Sequence, residues 1–381
     1  MLTALSQLTD AFAAFGRELG QIRLGDSRAR ESWKAILSVF LALFVAFSLF
    51  TVNDAFWAAF SAFMVPRASA AETMKRGLYR IYGTIGGGLV GFLFAGIAAN
   101  SAIGLLIGMM LIGFFSVFQT QTSRYPYVWM FFGLTAELIV SLTMGSPREV
   151  TPFVAIRVAE IMIGVVACVL VSLLFEALWP SKEEPAASPA SEDIPVWRGL
   201  LSKSWVDNHR LALVHATRGA IAIGILFVIW RIIELTNFLD SAVSAYMVLL
   251  VPAAPIRKAD ESAIVGRGMQ RLAGCFLGGV FALAILSGFK DSTPMWIMGL
   301  AIGVWIAAWV QNGKGASYAG SQFALAVFVT FVQGNGPPHD LLPAWLRFQG
   351  ILVGLFALGL VQLAWPLQMV TSSTDRDRLK S

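Results

Sequence analysis

Six arginines and one carboxylate are the residues of this chain best placed to do chemistry. Arg76 and Arg80 stand one helical turn apart, and Arg267 and Arg271 repeat that spacing in the second half of the chain. A guanidinium presents a planar fork of donors that matches a carboxylate, so two such pairs can hold an organic anion. Arg157 and Arg347 each open a later apolar run. Glu160 follows Arg157 by three residues, on the same helical face, and structural pairing is the simpler reading there. Gly350 stands at the matching place after Arg347, which leaves that arginine open to an anion or to a partner on another helix. Glu137 lies mid-run, with "FFGLTA" before it and "LIVSL" after it. A charge so placed in lipid costs several kcal/mol unless paired, which makes Glu137 a candidate proton carrier. The competing reading is a carboxyl bonded to a neighbouring helix.

Other chemistry finds no foothold. His209, His215 and His339 are scattered without metal-ligand spacing, and no nucleophile–base pair or Walker-type P-loop occurs. No enzyme activity, cofactor or metal is therefore expected. Cys168 and Cys275 fall in apolar runs and read as small buried residues.

The elements that must position these groups belong in a membrane. Apolar residues make up 57% of 381 positions and charged residues 13%, about half the charged share of soluble domains. With the bilayer as solvent, the basic pI near 9.4 reflects cations flanking membrane spans, since no soluble segment is large enough for a nucleic-acid fold. Apolar runs cover Ala35–Thr51, Ala55–Val65, Leu78–Ala99, Ile103–Phe118, Pro126–Thr143 and Phe153–Leu178. A second set covers Leu211–Ile229, Ala242–Val251, Leu272–Ser287, Met295–Val310, Tyr318–Val332 and Ala344–Trp365. The second run of each set is short and stops at Pro66 or Pro252. Taken as crossings, they give an all-α integral membrane protein of about twelve transmembrane helices with both termini in the cytoplasm. That topology leaves only Arg148, Arg157, Arg231, Lys290 and Arg347 of the 28 cations off the cytoplasmic side. No signal peptide is visible. In 1–34, the spacing of Leu5, Leu8, Phe12, Phe15, Leu19 and Ile22 is that of an amphipathic helix lying on the cytoplasmic face. Ile194, Trp197, Leu201 and Trp205 repeat the pattern. The expected organisation is thus an interfacial segment 1–34, a six-helix unit 35–180, a cytoplasmic linker and amphipathic segment 181–210, a second unit 211–366 and a tail 367–381.

The two units repeat one another. Arg76, Gly77, Arg80, Gly83, Gly87 and Gly88 recur as Arg267, Gly268, Arg271, Gly274, Gly278 and Gly279, and Arg157 and Gly164 as Arg347 and Gly354. This predicts parallel repeats about an axis along the membrane normal, with a substrate path between them. Gly83, Gly87 and Gly91, like Gly274 and Gly278, form small-residue faces on which helix backbones approach closely. The arginines on those faces either meet lipid phosphates or form an electropositive cytoplasmic mouth.

"DAFWAAFSAFMVP" at Asp54–Pro66, followed by "RGLYRIYGTIGGGLVG", resembles the fusaric-acid-resistance (FUSC) or aromatic acid exporter family. The matching residues are Trp57, Ala58 and Ala59, then Arg80, Gly83, Thr84 and Gly87, then Arg157, Gly164 and Trp179–Pro180. The likeness covers both halves and is clearer in the first. It implies export of aromatic or other weak carboxylic acids across the bacterial inner membrane. The chain departs from larger members in having a short linker where they carry a cytoplasmic domain. A wider relationship to plant aluminium-activated malate transporters points to an anion channel. The leading expectation is an exporter of organic anions, aromatic carboxylic acids above all, with a substrate path at Arg76, Arg80, Arg267, Arg271, Arg157 and Arg347 and driven by protons through Glu137. A passive channel of the same fold and a non-transporting membrane scaffold are the alternatives. The expected partners are the lipid bilayer, a periplasmic adaptor with an outer-membrane channel, and further copies of the chain; nucleic acid is not among them.

Overall fold

The computed structural model describes residues 2–49, 55–98, 100–145, 150–179, 202–233, 238–289, 292–332 and 342–369. Residues 181–201 of the expected linker and amphipathic segment 181–210, with Ile194, Trp197 and Leu201, lie outside these residues, as do the tail beyond 369, Arg148, Lys290 and His339. The described chain is helical, without strands. Its helices are α1 (Leu2–Gly20), α2 (Ser27–Leu49), α3 (Phe56–Met64), α4 (Ala70–Ala98), α5 (Ala102–Thr122), α6 (Pro126–Gly145) and α7 (Val150–Leu178). They continue with α8 (Lys203–Ile233), α9 (Phe238–Leu249), α10 (Ala253–Arg257), α11 (Ser262–Phe289), α12 (Thr293–Gln311), α13 (Ser317–Phe331) and α14 (Leu342–Ala364).

Helix ends follow local chemistry. Pro66 stops α3 and Pro252 follows α9, since proline has no N–H for the next turn. Ser101 caps α5, its hydroxyl accepting from the Gly104 N–H at 3.0 Å. Pro294 opens α12, where a missing N–H costs nothing.

Among the described residues nine helices are long and apolar enough to cross a membrane: α2, α4, α5, α6, α7, α8, α11, α12 and α14. The apolar helices α3, α9 and α13 have 9, 12 and 15 residues. At about 1.5 Å per residue they fall short of a hydrocarbon core about 30 Å thick. Among the described residues, nine of the expected crossings have the length of one and three, α3, α9 and α13, do not. Burial supplies the physical reason. Every residue of α13 from Ala319 to Phe331 is buried, as are seven of the nine in α3. Helices shielded by protein need not reach both faces of the lipid.

The chain forms two compact units, each drawing on both halves of the sequence. Unit 1 comprises Met1–Ile81, Ala155–Pro185 and Gly266–Phe348. In it α2 packs on α3 and α12, and α13 packs on α12 and α3. Unit 2 comprises Tyr82–Val154, Ala186–Val265 and Gln349–Ser381. There α8 packs on α9 and α5, and α6 packs on α5 and α9. The opening helix pair of each half is therefore matched with the fourth and fifth helices of the other.

Helix α1 lays part of its apolar stripe on protein, with the Phe12 ring 6.0 Å from Phe276 and the Phe15 ring 5.5 Å from Phe323, while Leu5, and Ile22 just past its end, stay exposed. Ala11, Ala14 and Phe15 are buried there.

Glycines set the closest approaches. A Cβ on Gly83 would run into the Val128 carbonyl, one on Gly87 into the Phe132 carbonyl, and one on Gly91 would lie 3.0 Å from Ala136 Cα. In unit 1, Gly274 meets the Ala319 carbonyl and Gly278 the Phe323 carbonyl. Gly164 lies against Ser61 and Ala62 of α3, and Gly354 against Ser244 and Ala245 of α9.

Candidate functional site

A pocket of about 410 Å³ opens in unit 1 where the α3–α4 and α12–α13 turns meet the ends of α2, α4 and α11. Four cations face it: Arg67, Arg76, Arg267 and Lys314. Glu31 is the carboxylate on the wall, and its Oε2 is 2.5 Å from Lys34 Nζ. Gln270, Gln311, Asn312 and Tyr318 add hydrogen-bonding groups, while Phe63 and Met64 supply an apolar side. The pocket is therefore positive, polar and within the size range of small-molecule sites, roughly 300–1,000 Å³.

Each cation is positioned by a recognisable device. Arg76 and Arg267 stand in the second turns of α4 and α11, before the glycine faces begin. Arg267 lies over the Tyr318 ring, its Cζ 3.8 Å from the centroid. Arg67 occupies the α3–α4 turn, where its N–H donates to Thr73 Oγ1 at 2.9 Å and its carbonyl accepts from the buried Lys34 at 2.7 Å. Lys34 thus ties both Glu31 and the backbone of the turn. Lys314 belongs to the α12–α13 turn, which Glu18 of α1 holds from outside. The Glu18 carboxylate accepts from the Gly315 N–H at 2.9 Å and from Arg28 Nη2 at 2.7 Å. Trp309 Nε1 donates to the Glu18 carbonyl at 2.8 Å, and Arg28 sits over the Trp309 ring at 4.3 Å. Burial raises the Glu18 pKa, but the Gly315 N–H and the Arg28 guanidinium outweigh it and hold the carboxyl below its ordinary value.

The remaining sequence-predicted arginines divide between two places. Arg271 is buried, donating to Gln322 Oε1 at 2.8 Å and to the Tyr318 hydroxyl at 3.3 Å. Tyr318 lies within the electrostatic reach of Arg267, Arg271 and Arg347, so the three second-half arginines converge on one phenol. Arg80 and Arg157 turn instead to α3. Arg80 Nε donates to Ser61 Oγ at 3.0 Å with its Cζ over Phe60, and Arg157 lies over the Trp57 ring at 3.1 Å. Neither Arg80 nor Arg157 lines the pocket. Trp305 stacks on Trp309 at 5.5 Å and is not on the wall either.

Glu137 belongs to unit 2. It is 1% exposed, and neither carboxyl oxygen has a hydrogen-bond partner among the described residues. Its Oε1 is 3.3 Å from where a Gly113 Cβ would stand. One turn back on the same face, Gly133 admits the Tyr246 hydroxyl and Ser116 Oγ, both buried. Glu137 thus sits between α5 and α6 at the edge of a small polar cluster.

Arg67, Lys314, Tyr318 and Glu18 escape sequence reasoning. Arg67 and Lys314 pass there as positive-inside anchors, and Glu18 is one more charge on an amphipathic helix. The nearest signal for Tyr318 is its place at the start of an apolar run directly after a cation-bearing turn.

Residues 29–194 match the Fusaric acid resistance protein family, and residues 232–361 match the Fusaric acid resistance protein-like family. The chain is also similar to "p-hydroxybenzoic acid efflux pump subunit AaeB" of Musicola paradisiaca (strain Ech703), at 28% identity over 162 residues. That match takes in 39% of this chain and 24% of the relative, so the chain spans only about a quarter of that protein's length.

Proposed function

The chain belongs to the fusaric acid resistance protein family, and from that membership we propose that it exports organic acids, aromatic carboxylates above all, across the bacterial inner membrane. In this reading the unit 1 pocket faces the cytoplasm and receives the anion. One observation carries it: Arg76 and Arg267, equivalent residues of the two halves, line the same positive pocket. Clefts lined by one sign of charge concentrate the opposite ion and speed its capture. Two parallel six-helix repeats with cytoplasmic termini complete the architecture, the short buried helices α3, α9 and α13 standing in for full crossings. Arg80, Arg157, Arg271 and Arg347 lie behind the pocket as positioning groups or later contacts on the path. Glu137 is the proton carrier, a buried carboxyl without a fixed partner whose charge state can follow the cycle. The relative is named a pump subunit, and this chain is likewise taken to work with a periplasmic adaptor, an outer-membrane channel or further copies of itself.

The test is uptake of 4-hydroxybenzoate into proteoliposomes under an imposed proton gradient. Arg76→Gln with Arg267→Gln should reduce uptake about tenfold or more at low ionic strength, with the deficit shrinking as salt screens the field. A deficit equal at every salt concentration would assign these arginines to membrane anchoring. Wild-type protein that dissipates a substrate gradient but never builds one would be a channel, and protein that moves no acid would be a scaffold.

A further inference from the structure

The charge on the pocket wall exceeds what one carboxylate can meet. Arg67, Arg76, Arg267 and Lys314 face the space, against Glu31, which is already engaged by Lys34. These cations fall into two kinds. Arg76 and Arg267 rise from α4 and α11, whereas Arg67 and Lys314 sit on the α3–α4 and α12–α13 turns. Both turns are pinned: Lys34 holds the carbonyl of Arg67, and Glu18 holds the N–H of Gly315 beside Lys314. Neither turn cation is therefore on a freely wandering loop, and each presents its charge from a braced backbone. A singly charged acid would satisfy the helix-borne pair and leave the turn-borne pair facing solvent.

We infer that this pocket prefers a one-ring aromatic ligand bearing two anionic groups, the first met by Arg76 and Arg267 and the second by Arg67 and Lys314. The inference rests on reading the pocket as the acid-binding site and adds the charge class of the acid. Tyr318, with Arg267 over its ring, and the apolar side at Phe63 and Met64 suit the flat frame between the two anionic ends. The volume of about 410 Å³ holds a single substituted ring together with some of its water.

The experiment is calorimetric binding to the full chain in nanodiscs of zwitterionic lipid at neutral pH, where both carboxyls of benzene-1,4-dicarboxylate are ionised. Benzoate and benzene-1,4-dicarboxylate are compared in about 50 mM and about 500 mM salt. The dicarboxylate should bind about tenfold tighter in low salt, and the advantage should fall below about threefold in high salt as screening shortens the field. Arg67→Gln with Lys314→Gln, both on turns and away from the packed helices, should erase the advantage by lowering dicarboxylate affinity more than benzoate affinity. Equal or tighter binding of benzoate by the wild type would overturn the inference and leave the acid-binding reading standing. So would an advantage that survives the double variant. If neither acid binds, the acid-binding reading falls, and the inference falls with it. If added phosphatidylglycerol abolishes dicarboxylate binding in proportion to its content, the pocket belongs to lipid phosphate and the inference is wrong.

Discussion

Two adjacent glycines in α11 should respond to the same substitution with opposite signs. At Gly278 a methyl group would lie 2.7 Å from Ala326 Cβ and 2.7 Å from the Phe323 carbonyl oxygen, both on α13. At Gly279 it would meet nothing within 4 Å. Carbon atoms pack best at about 3.5–4.0 Å, so Gly278→Ala must push α11 from α13 by about 1 Å along a buried seam. Overpacking of that kind costs about 1–3 kcal/mol. Gly279→Ala carries no such clash and gains the helix preference of alanine, up to about 1 kcal/mol. Both variants share that helix preference, so they should differ by the overpacking cost alone, about 1–3 kcal/mol, with Gly278→Ala the lower and Gly279→Ala at or above wild type. Gly87 and Gly88 form a second pair in unit 2. Gly87 would meet the Phe132 backbone, with its carbonyl carbon at 2.9 Å, whereas Gly88 has only Val154 Cγ1 at 3.5 Å. The assay is the fraction of detergent-solubilised protein that stays monodisperse after heating through a temperature series. Melting points separated by about 2 °C or more are expected within each pair. Equal melting points for Gly278→Ala and Gly279→Ala would mean that α11 and α13 are not in backbone contact, and the packing argument would fail.

Glu137→Gln keeps size and hydrogen-bonding capacity but removes titration, so it should abolish uphill transport while leaving downhill exchange of the anion largely intact. A variant that still builds a substrate gradient would make Glu137 a structural group. The latch at Glu18 sets a pH dependence with a definite sign. The folded carboxyl titrates below its ordinary value, so its contribution is complete above the unfolded pKa and is lost as pH falls through the folded one. Glu18→Gln should therefore be less stable than wild type at neutral pH and should converge with it in acid, as read by thermal unfolding across a pH series. A constant difference between the two proteins would remove the latch.

Much of the helical plan is legible along the chain because lipid imposes it. Runs of apolar residues ending at Pro66 or Pro252 give helix positions directly, and the four-residue recurrence at Gly83, Gly87 and Gly91 marks the face that meets α6. The short length of α13 is less legible, since burial by neighbours and burial in lipid select the same residue types. Tyr318 gains its meaning only when Arg267, Arg271 and Arg347 converge on it from two other helices. Arg67 and Lys314 come together through the packing of α2 on α12, between segments more than two hundred positions apart. No local spacing records such a contact. Glu18 shows the same limit: its neighbours in sequence predict a surface helix, and only the folded α12–α13 turn reveals a buried acceptor.

The exchange of helix pairs between the halves bears on how the protein is made. Helix α2 is complete by Leu49, but α12, against which it packs in unit 1, begins at Thr293. At about 5–20 residues per second, ribosomal synthesis keeps the two apart for on the order of 10–50 seconds. Through that interval α2 must rest in lipid, or against a translocation partner, with Ser32 and Ser38 on the face it will later bury. Their hydroxyls donate to Arg28 and Lys34 carbonyls one turn back, at 3.0 and 2.8 Å, so the waiting helix already satisfies its own polar atoms. Helices α5 and α6 wait in the same way for α8 and α9. A nascent chain arrested near residue 190 would carry part of each unit and the whole of neither, so quality control has no finished half to recognise before the last helices emerge.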